Sequence, residues 1–145
     1  MKAIAPDNMI LLVEDDANYA KIVQLVFEKA NLPFTLQVVK NGEEAQLYLS
    51  HCNGGGKSDR ATPMPKLVLT DINMPRLSGL ELLAWIADKP RLKHLPVVVM
   101  SSCFDEEQIQ TIERLGARAY FTKPFSLKEL LNRLTTCVSN LQQAA

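Results

Sequence analysis

Short apolar runs alternate along the chain with longer segments in which apolar residues recur every three or four positions. The short runs have the length of buried strands, and the longer segments are typical of helices with one apolar face. This alternation predicts βα units that form a parallel sheet with helices on both faces, an α/β fold. Five strands are predicted, at approximately 9–13, 35–39, 66–70, 96–100 and 118–122.

Five helices are predicted between and after these strands. Four of them begin with a side chain that can cap the backbone, followed three residues later by Glu or Gln. These pairs are Asn41 with Glu44, Ser78 with Glu81, Asp105 with Gln108, and Ser126 with Glu129. Gly116 is placed to end the fourth helix. The last helix carries one apolar stripe, which would pack on the sheet or form a coiled-coil seam; it consists of Leu127, Leu131, Leu134, Val138 and Leu141.

The length of 145 residues and the 47% hydrophobic content fit one packed domain. We expect an N-terminal extension at 1–8, the domain at 9–141 and a short tail at 142–145. An extended loop is predicted at 51–65, where the sequence HCNGGGKSDRATPMP has no periodicity. This segment is either a disordered insertion or a loop that contacts a partner.

Composition excludes several classes of function. The 16 basic residues balance the 16 acidic ones, so no overall field attracts nucleic acid or an anionic membrane. The apolar runs are far shorter than the roughly 20 residues that span a bilayer, and the N-terminus does not resemble a signal peptide. Cys52, Cys103 and Cys137 lack metal-binding spacing and are expected to be free thiols. We therefore expect a cytoplasmic protein.

Polar side chains follow the apolar runs at the points where the predicted strands end. Glu14 and Asp15 follow the first strand, Asp71 the third, Ser101 the fourth and Lys123 the fifth. In a flavodoxin-like, doubly wound sheet of order 2-1-3-4-5, ligands bind at the carboxyl ends of strands 1 and 3. Three carboxyl groups would then share one crevice, and their repulsion would raise a pKa unless a cation is present. Mg²⁺ prefers such oxygen ligands.

Each of these residues also has a simpler explanation. The acidic run 14–16 is a favourable start for a helix, with Asp16 as its cap. Ser101 could be a cap or a buried hydroxyl bonded to backbone, and a lysine before a helix is usually solvated. Tyr120 could pack at the sheet edge. The predicted meeting of acids, hydroxyl and ammonium at one edge favours phosphoryl chemistry over these separate explanations.

With these positions and the string LTDINMPRLSG around Asp71, the chain resembles the response-regulator receiver domains of two-component signalling. The resemblance extends from Met9 to about Leu141. It implies that Asp71 is the phosphoacceptor and that Asp15 binds Mg²⁺ directly. It also implies that Glu14 acts through metal-bound water and that Asn73 offers its backbone carbonyl to the metal.

The same resemblance implies roles for residues at the fourth and fifth strands. Ser101 and Lys123 would hold the phosphoryl oxygens, and Tyr120 would change rotamer together with the hydroxyl. The peptide bond before Pro124 would be cis, as X-Pro bonds permit. Cys103 lies two residues beyond Ser101, where the family controls the hydrolytic water, so this thiol is expected to tune the lifetime of the phosphorylated form.

The function that the resemblance implies is phosphoryl transfer from a histidine kinase to Asp71, which switches partner binding through helix 4, strand 5 and helix 5. The extended loop and the string PRLKHLPVVVM are similar to single-domain regulators that partner phytochrome-type histidine kinases. No DNA-binding or other output domain is expected after the receiver domain. Signalling would pass through another protein or through self-association.

Two other functions fit parts of the sequence. Phosphatases of the haloacid dehalogenase type resemble this chain at the nucleophile, but they carry DxD where this chain has Asp71-Ile72-Asn73. An amide cannot act as the general acid, so we expect no enzyme beyond self-phosphorylation and self-dephosphorylation. A receiver-like interaction module that is never phosphorylated would be expected to lack an acid, the hydroxyl or the lysine, and this chain has all of them.

Overall fold

A computed structural model describes residues 9–52, 63–123, 128–129, 132–133 and 135–136 of the chain. Five parallel strands form one sheet in the order β2-β1-β3-β4-β5, as the sequence predicts. The strands are β1 Met9–Val13, β2 Thr35–Val39, β3 Leu67–Asp71, β4 Val97–Ser101 and β5 Ala119–Thr122.

Four helices have both ends within the described residues: α1 Ala17–Lys29, α2 Gly42–Ser50, α3 Gly79–Asp88 and α4 Glu106–Arg114. The expected number was five. Near the C-terminus, residues 128–129, 132–133 and 135–136 are helical, and the Thr136 hydroxyl donates to the Asn132 carbonyl at 2.9 Å. The apolar stripe predicted for a fifth helix, and its proposed cap Ser126, lie outside the described residues.

The helix ends follow the predicted capping chemistry. Ser78 with Glu81 and Asp105 with Gln108 form complete capping boxes, in which each side chain bonds the other residue's backbone N–H. Gly116 has a φ of +84° just after α4, a conformation that glycine adopts readily. The N-terminal caps of the four helices are Asp16, Asn41, Ser78 and Asp105.

The core has two layers, one on each face of the sheet. In β1, Leu11 and Val13 pack with the apolar sides of α2, α3 and α4, whereas Ile10 and Leu12 pack with α1. All five residues are buried, and the same is true of β3 and β4. Burial of both faces explains why these strands are continuous apolar runs without alternation.

Two strands are shifted by one residue from their predicted bounds of 66–70 and 96–100. Asp71 pairs with Met100, and the Ile72 N–H donates to the Met100 carbonyl at 2.9 Å, so β3 includes Asp71. Pro96 has no N–H to donate and precedes β4, which extends to Ser101. The carboxyl of Asp71 and the hydroxyl of Ser101 therefore belong to residues held by the sheet, which fixes their positions more firmly than a loop would.

Both ends of the predicted 51–65 loop are attached to the core. Cys52 is buried beyond α2, and its Sγ lies 3.4 Å from the carbonyl of Pro63, to which the Tyr48 hydroxyl also donates. Arg91 donates to the Cys52 carbonyl at 2.7 Å. Burial raises the pKa of the Cys52 thiol to about 11, so this cysteine is a packed side chain and a weak nucleophile. Residues 53–62 lie outside the described part of the chain.

Among the described residues, no helix has the length and apolar character needed to cross a membrane.

Candidate functional site

The polar residues at the strand ends meet at one edge of the sheet. Glu14 directly follows β1, and its N–H donates to the Val39 carbonyl at 3.0 Å. Asp71 and Ser101 are the last residues of β3 and β4. Lys123 follows β5, and its N–H donates to the Ser101 carbonyl at 2.6 Å. Because all strands are parallel, their carboxyl ends bring these side chains together, as the sequence predicts.

The Lys123 ammonium joins two of the acids. Its Nζ lies 2.9 Å from Glu14 Oε1 and 3.1 Å from Asp71 Oδ2. The side chains of Glu14 and Asp71 are 0% and 6% exposed, and that of Lys123 is 17% exposed. The pairs are largely shielded from water, so their attraction is stronger than that of surface ion pairs.

Three acids could hold a metal ion at this edge. One carboxylate oxygen from each of Glu14, Asp15 and Asp71 lies within 4.8 Å of the others. Asp15 is exposed, whereas Glu14 and Asp71 are buried, so the cluster has an open side. Carboxylate oxygens are the ligands that hard divalent cations prefer, and an open side leaves room for water and phosphate oxygens. The residues therefore fit a divalent cation.

Burial and neighbouring charges shift the pKa values of Glu14 and Lys123. Burial raises the pKa of Glu14 to about 7, because the loss of water outweighs the hydrogen bond from Lys123, and the charge of Asp71 adds to the rise. Burial alone would lower the pKa of Lys123, but the hydrogen bond and charge of Glu14, with those of Asp71, raise it. The lysine is therefore firmly protonated, and the cluster carries more acid groups than its one ammonium can neutralise.

The Ser101 hydroxyl is already engaged in hydrogen bonds. It donates to the Cys103 carbonyl at 2.8 Å and accepts from the Asn73 side-chain amide at 3.2 Å. A longer contact, of 3.4 Å, joins it to the Cys103 N–H. Ser101 is fully buried. The hydroxyl must therefore rotate away from Cys103 before it can donate to a group bound at Asp71.

The start of α3 is packed directly against the end of β3. The Gly79 N–H donates to the Ile72 carbonyl at 2.9 Å. A Cβ atom at Gly79 would overlap the Asp71 carbonyl oxygen and lie 2.8 Å from the Ile72 Cα. Only glycine allows this approach, which explains the residue at the end of the string LTDINMPRLSG.

Tyr120 lies on β5 at the protein surface, where it is 37% exposed. Its ring packs edge to face against Phe104, with 5.2 Å between the ring centroids. Phe104 belongs to the segment between Ser101 and α4, so Tyr120 contacts the loop that follows the Ser101 hydroxyl. Its predicted change of rotamer stays a prediction.

Of two further residues predicted for the site, Cys103 is described by the structure and Pro124 is not. Cys103 is exposed, and its carbonyl accepts from Ser101, which places its backbone beside the cluster. Pro124, and with it the predicted cis peptide bond, lies outside the described residues.

Two side chains in the site have contacts that sequence reasoning missed. The Asn73 side chain bonds Ser101, and its backbone N–H lies 3.4 Å from Asp71 Oδ1. The ring of Tyr19 faces the Lys123 ammonium, which lies 4.5 Å from its centroid. The only available signal for Tyr19 is its place in the first turn of α1, four residues after Asp15, where a helix returns toward the strand end.

Comparison with known proteins decides the family to which this arrangement belongs. A model of the response regulator receiver domain matches residues 10–135. The chain is a response regulator receiver domain. The receiver domain is 34% identical over 125 residues to the response regulator Rcp1 of Synechocystis sp., covering 86% of this chain and 82% of that protein.

Solved structures agree with this assignment. The phosphorylated cyanobacterial phytochrome response regulator RcpA is 30% identical with a TM-score of 0.80, over 95% of the receiver domain and 96% of RcpA. The Mn²⁺-bound form of Rcp1 is 32% identical with a TM-score of 0.75, over 87% and 88% of the two chains. The predicted resemblance to phytochrome-associated regulators is confirmed.

Proposed function

We propose that the receiver domain takes a phosphoryl group from a histidine kinase onto Asp71 and thereby switches its binding to a partner. The observation that carries the proposal is the position of Lys123, whose ammonium lies 2.9 Å from Glu14 and 3.1 Å from Asp71. A buried carboxylate beside a fixed ammonium and an open acidic cluster suits in-line phosphoryl transfer, in which catalysis is mostly positioning and charge neutralisation.

In the proposed reaction, an Asp71 carboxylate oxygen attacks the phosphorus of a kinase phosphohistidine. The new O–P bond forms as the P–N bond breaks, and the imidazole nitrogen keeps the electron pair of the broken bond. A small acyl phosphate would react in the same way, with a carboxylate as the leaving group. Lys123 then donates to a phosphoryl oxygen in place of Asp71 Oδ2, and Ser101 donates to another after its hydroxyl rotates.

We propose Mg²⁺ as the cofactor. Asp15 and Asp71 would bind it directly, with Glu14 acting through water and Asn73 supplying its backbone carbonyl. The close carboxylates support this assignment, as does the Mn²⁺-bound form of the relative Rcp1. When bound, the metal ion would neutralise the excess negative charge at the phosphoryl group.

New hydrogen bonds to the phosphoryl group can supply only part of the free energy of the proposed switch, because Lys123 and Ser101 already make hydrogen bonds in this structure. Lys123 already makes charge-assisted bonds, so it gains little when it changes partner. Ser101 would exchange a neutral bond for a charge-assisted one, which contributes about 1 to 1.5 kcal/mol. This shifts a two-state population only roughly 5- to 10-fold, whereas moving it from 1:99 to 99:1 takes about 5.5 kcal/mol. Most of the shift must therefore come from the added phosphoryl charge and from the partner itself.

The partner surface that we propose consists of α4, β5 and the helical residues 128–129, 132–133 and 135–136. Tyr120 and Phe104 join this surface to the loop after Ser101. The kinase that we propose is a phytochrome-type histidine kinase, which the likeness to RcpA supports. The proposed setting is the cytoplasm, where such phosphotransfer takes place.

Intact-mass measurement after incubation with acetyl phosphate and Mg²⁺ tests the proposal. The wild-type protein should gain one phosphoryl group, and Asp71→Asn should gain none. A wild-type protein that stays unmodified under conditions that phosphorylate a related receiver would favour an interaction module instead. Continued release of phosphate from many phosphate esters would indicate a phosphatase.

A further inference from the structure

Tyr19 is an aromatic residue of the site for which the proposed mechanism has no use. It lies in the first turn of α1, and its ring face is 4.5 Å from the Lys123 ammonium. The same ammonium makes the ion pairs to Glu14 and Asp71. Lys123 thus has two acidic partners and one aromatic partner in a largely buried setting.

The position of Tyr19 is coupled to the acids by backbone hydrogen bonds. The Tyr19 N–H donates to the Asp16 side chain at 3.2 Å, and the Asp16 N–H donates to Glu14 Oε2 at 3.2 Å. The first turn of α1, its cap and the buried acid therefore form one connected unit. The backbone from which the Tyr19 ring extends is therefore held beside the acid cluster.

We propose, resting on the proposed function, that Tyr19 is a positioning residue whose ring holds the Lys123 ammonium beside Asp71 while the lysine exchanges a carboxylate for a phosphoryl oxygen. Attraction of a cation to an aromatic face does not depend on the direction of one particular N–H bond. The ring can therefore hold the ammonium while its hydrogen bonds change partners.

The hydroxyl of Tyr19 is compatible with this role. Burial, with the charges of Glu14 and Asp71, raises the pKa of Tyr19 above its ordinary value. The side chain thus stays neutral and adds no charge that would compete for the ammonium. The hydroxyl oxygen is buried and has no hydrogen-bond partner among the described residues. Its removal should therefore leave the fold intact.

The test compares Tyr19→Phe, which keeps the ring, with Tyr19→Leu, which removes it. The rate of phosphorylation by acetyl phosphate with Mg²⁺ should fall about 3- to 30-fold in Tyr19→Leu, and Tyr19→Phe should restore most of that loss. Lys89→Met is the matched control. It removes another lysine–aromatic contact, with Trp85 at 5.3 Å on α3, and should leave the rate unchanged.

Two outcomes would overturn the proposal: Tyr19→Leu phosphorylated at the wild-type rate, or Tyr19→Phe slowed as much as Tyr19→Leu. The second would assign the effect to the hydroxyl and not to the ring. Melting temperatures identify any variant that is slow because it is unfolded. If the wild-type protein itself takes no phosphoryl group, the proposed function fails, and the next measurement still tests the contact.

Nuclear magnetic resonance of the unphosphorylated wild-type protein tests the contact without any variant. Protons near the face of an aromatic ring resonate upfield, so the ε-methylene protons of Lys123 should lie upfield of those of the exposed Lys21. Tyr19→Leu should return them to the ordinary position. Ordinary positions in the wild-type protein would contradict the proposal even if Tyr19→Leu did not fold.

Discussion

Lys123 is the residue whose positive charge offsets the buried acids of the cluster. It is the cation that contacts both Glu14 and Asp71 among the described side chains. Removing one partner of a buried ion pair is more damaging than removing both, because the remaining charge stays buried. The stability of the cluster should therefore depend on this ammonium.

Lys123→Met should lower the free energy of unfolding by about 2 to 3 kcal/mol at pH 8 in the presence of a chelator, because two buried carboxylates lose their counter-charge. Phosphorylation by acetyl phosphate should slow at least about tenfold if the ammonium neutralises charge in the transition state. Chemical denaturation and intact-mass kinetics measure the two effects. Lys66→Met, at an exposed lysine before β3, is the control. Equal stability and rate in both variants would contradict this role.

Glu14 predicts an unusual dependence of stability on pH. Its pKa is about 7 in the folded protein against an ordinary 4.5, so folding takes up a proton between these values. The contribution of Glu14 to the free energy of unfolding is therefore complete below about pH 4.5 and is lost as the pH rises through about 7. This contribution is about 3 kcal/mol at most.

Denaturation of the metal-free protein between pH 5 and 8 checks this prediction. Wild-type stability should fall relative to Glu14→Gln, whose neutral amide keeps the shape but does not titrate. Glu43→Gln, at an exposed ion pair with Arg76, should follow the wild type. A constant difference between wild type and Glu14→Gln across this range would show that Glu14 titrates at its ordinary pKa.

At the scale of elements, the helix α3 and the strand β3 are joined at Gly79. The overlap that a Cβ would make with the Asp71 carbonyl is with backbone, which cannot rotate away. Gly79→Ala should lower the free energy of unfolding by about 1 to 3 kcal/mol and slow phosphorylation, because the end of β3 at Asp71 must shift.

Gly116→Ala is the comparison for this prediction. Gly116 has a φ of +84° but open space around it, so alanine there meets conformational strain without a clash. Gly116→Ala should lower the free energy of unfolding by about 1 kcal/mol and leave the rate of phosphorylation unchanged. Thermal unfolding and acetyl phosphate kinetics measure both variants. If Gly79→Ala were milder than Gly116→Ala in both assays, the close packing at Asp71 would not constrain the site.

Much of the element pattern was predictable from the sequence, because apolar runs and caps are local signals. The capping boxes at Ser78 and Asp105 and the turn at Gly116 are examples. The position at which a strand ends depends on less local signals. Asp71 belongs to β3 because it pairs with Met100 on a neighbouring strand, and no pattern within 66–71 reports that pairing.

The charged residues of the candidate site were predictable, but Tyr19 and the contacts between the side chains were not. Strand ends placed Glu14, Asp71, Ser101 and Lys123 at one edge, where Lys123 pairs with both acids and its N–H bonds the Ser101 carbonyl. The contact of the Tyr19 ring with the Lys123 ammonium depends on how α1 packs on the sheet. The spacing of residues along the sequence does not predict this contact.

For the whole molecule, the sheet has two edge strands, and the proposed function uses one of them. β2 and β5 are at opposite edges, and the proposed partner surface includes only β5. Leu47 on α2 and Tyr120 on β5 are both exposed, at 63% and 37%, so they provide a matched pair of surface residues for binding measurements.

Tyr120→Ala should reduce the difference in partner affinity between the phosphorylated and unphosphorylated protein by several-fold, because its contact with Phe104 links β5 to the loop after Ser101. Leu47→Ala should leave that difference unchanged. Binding titrations with a partner, with and without phosphorylation, supply the measurement. If Tyr120→Ala kept the full difference, the signal would reach the surface by another route.

The rigid packing of Gly79 on one side of Asp71 gives the domain a preferred direction of response. The backbone of Gly79 packs against the backbone of Asp71, so Asp71 cannot move toward α3. The Ser101 hydroxyl, in contrast, can rotate away from the Cys103 carbonyl. Under the proposed function, a group added to Asp71 would therefore displace atoms mainly toward β4 and β5. The surroundings of the Asp71 carboxyl are thus asymmetric, and a partner that distinguishes the two states of the proposed switch should contact the side of β4 and β5.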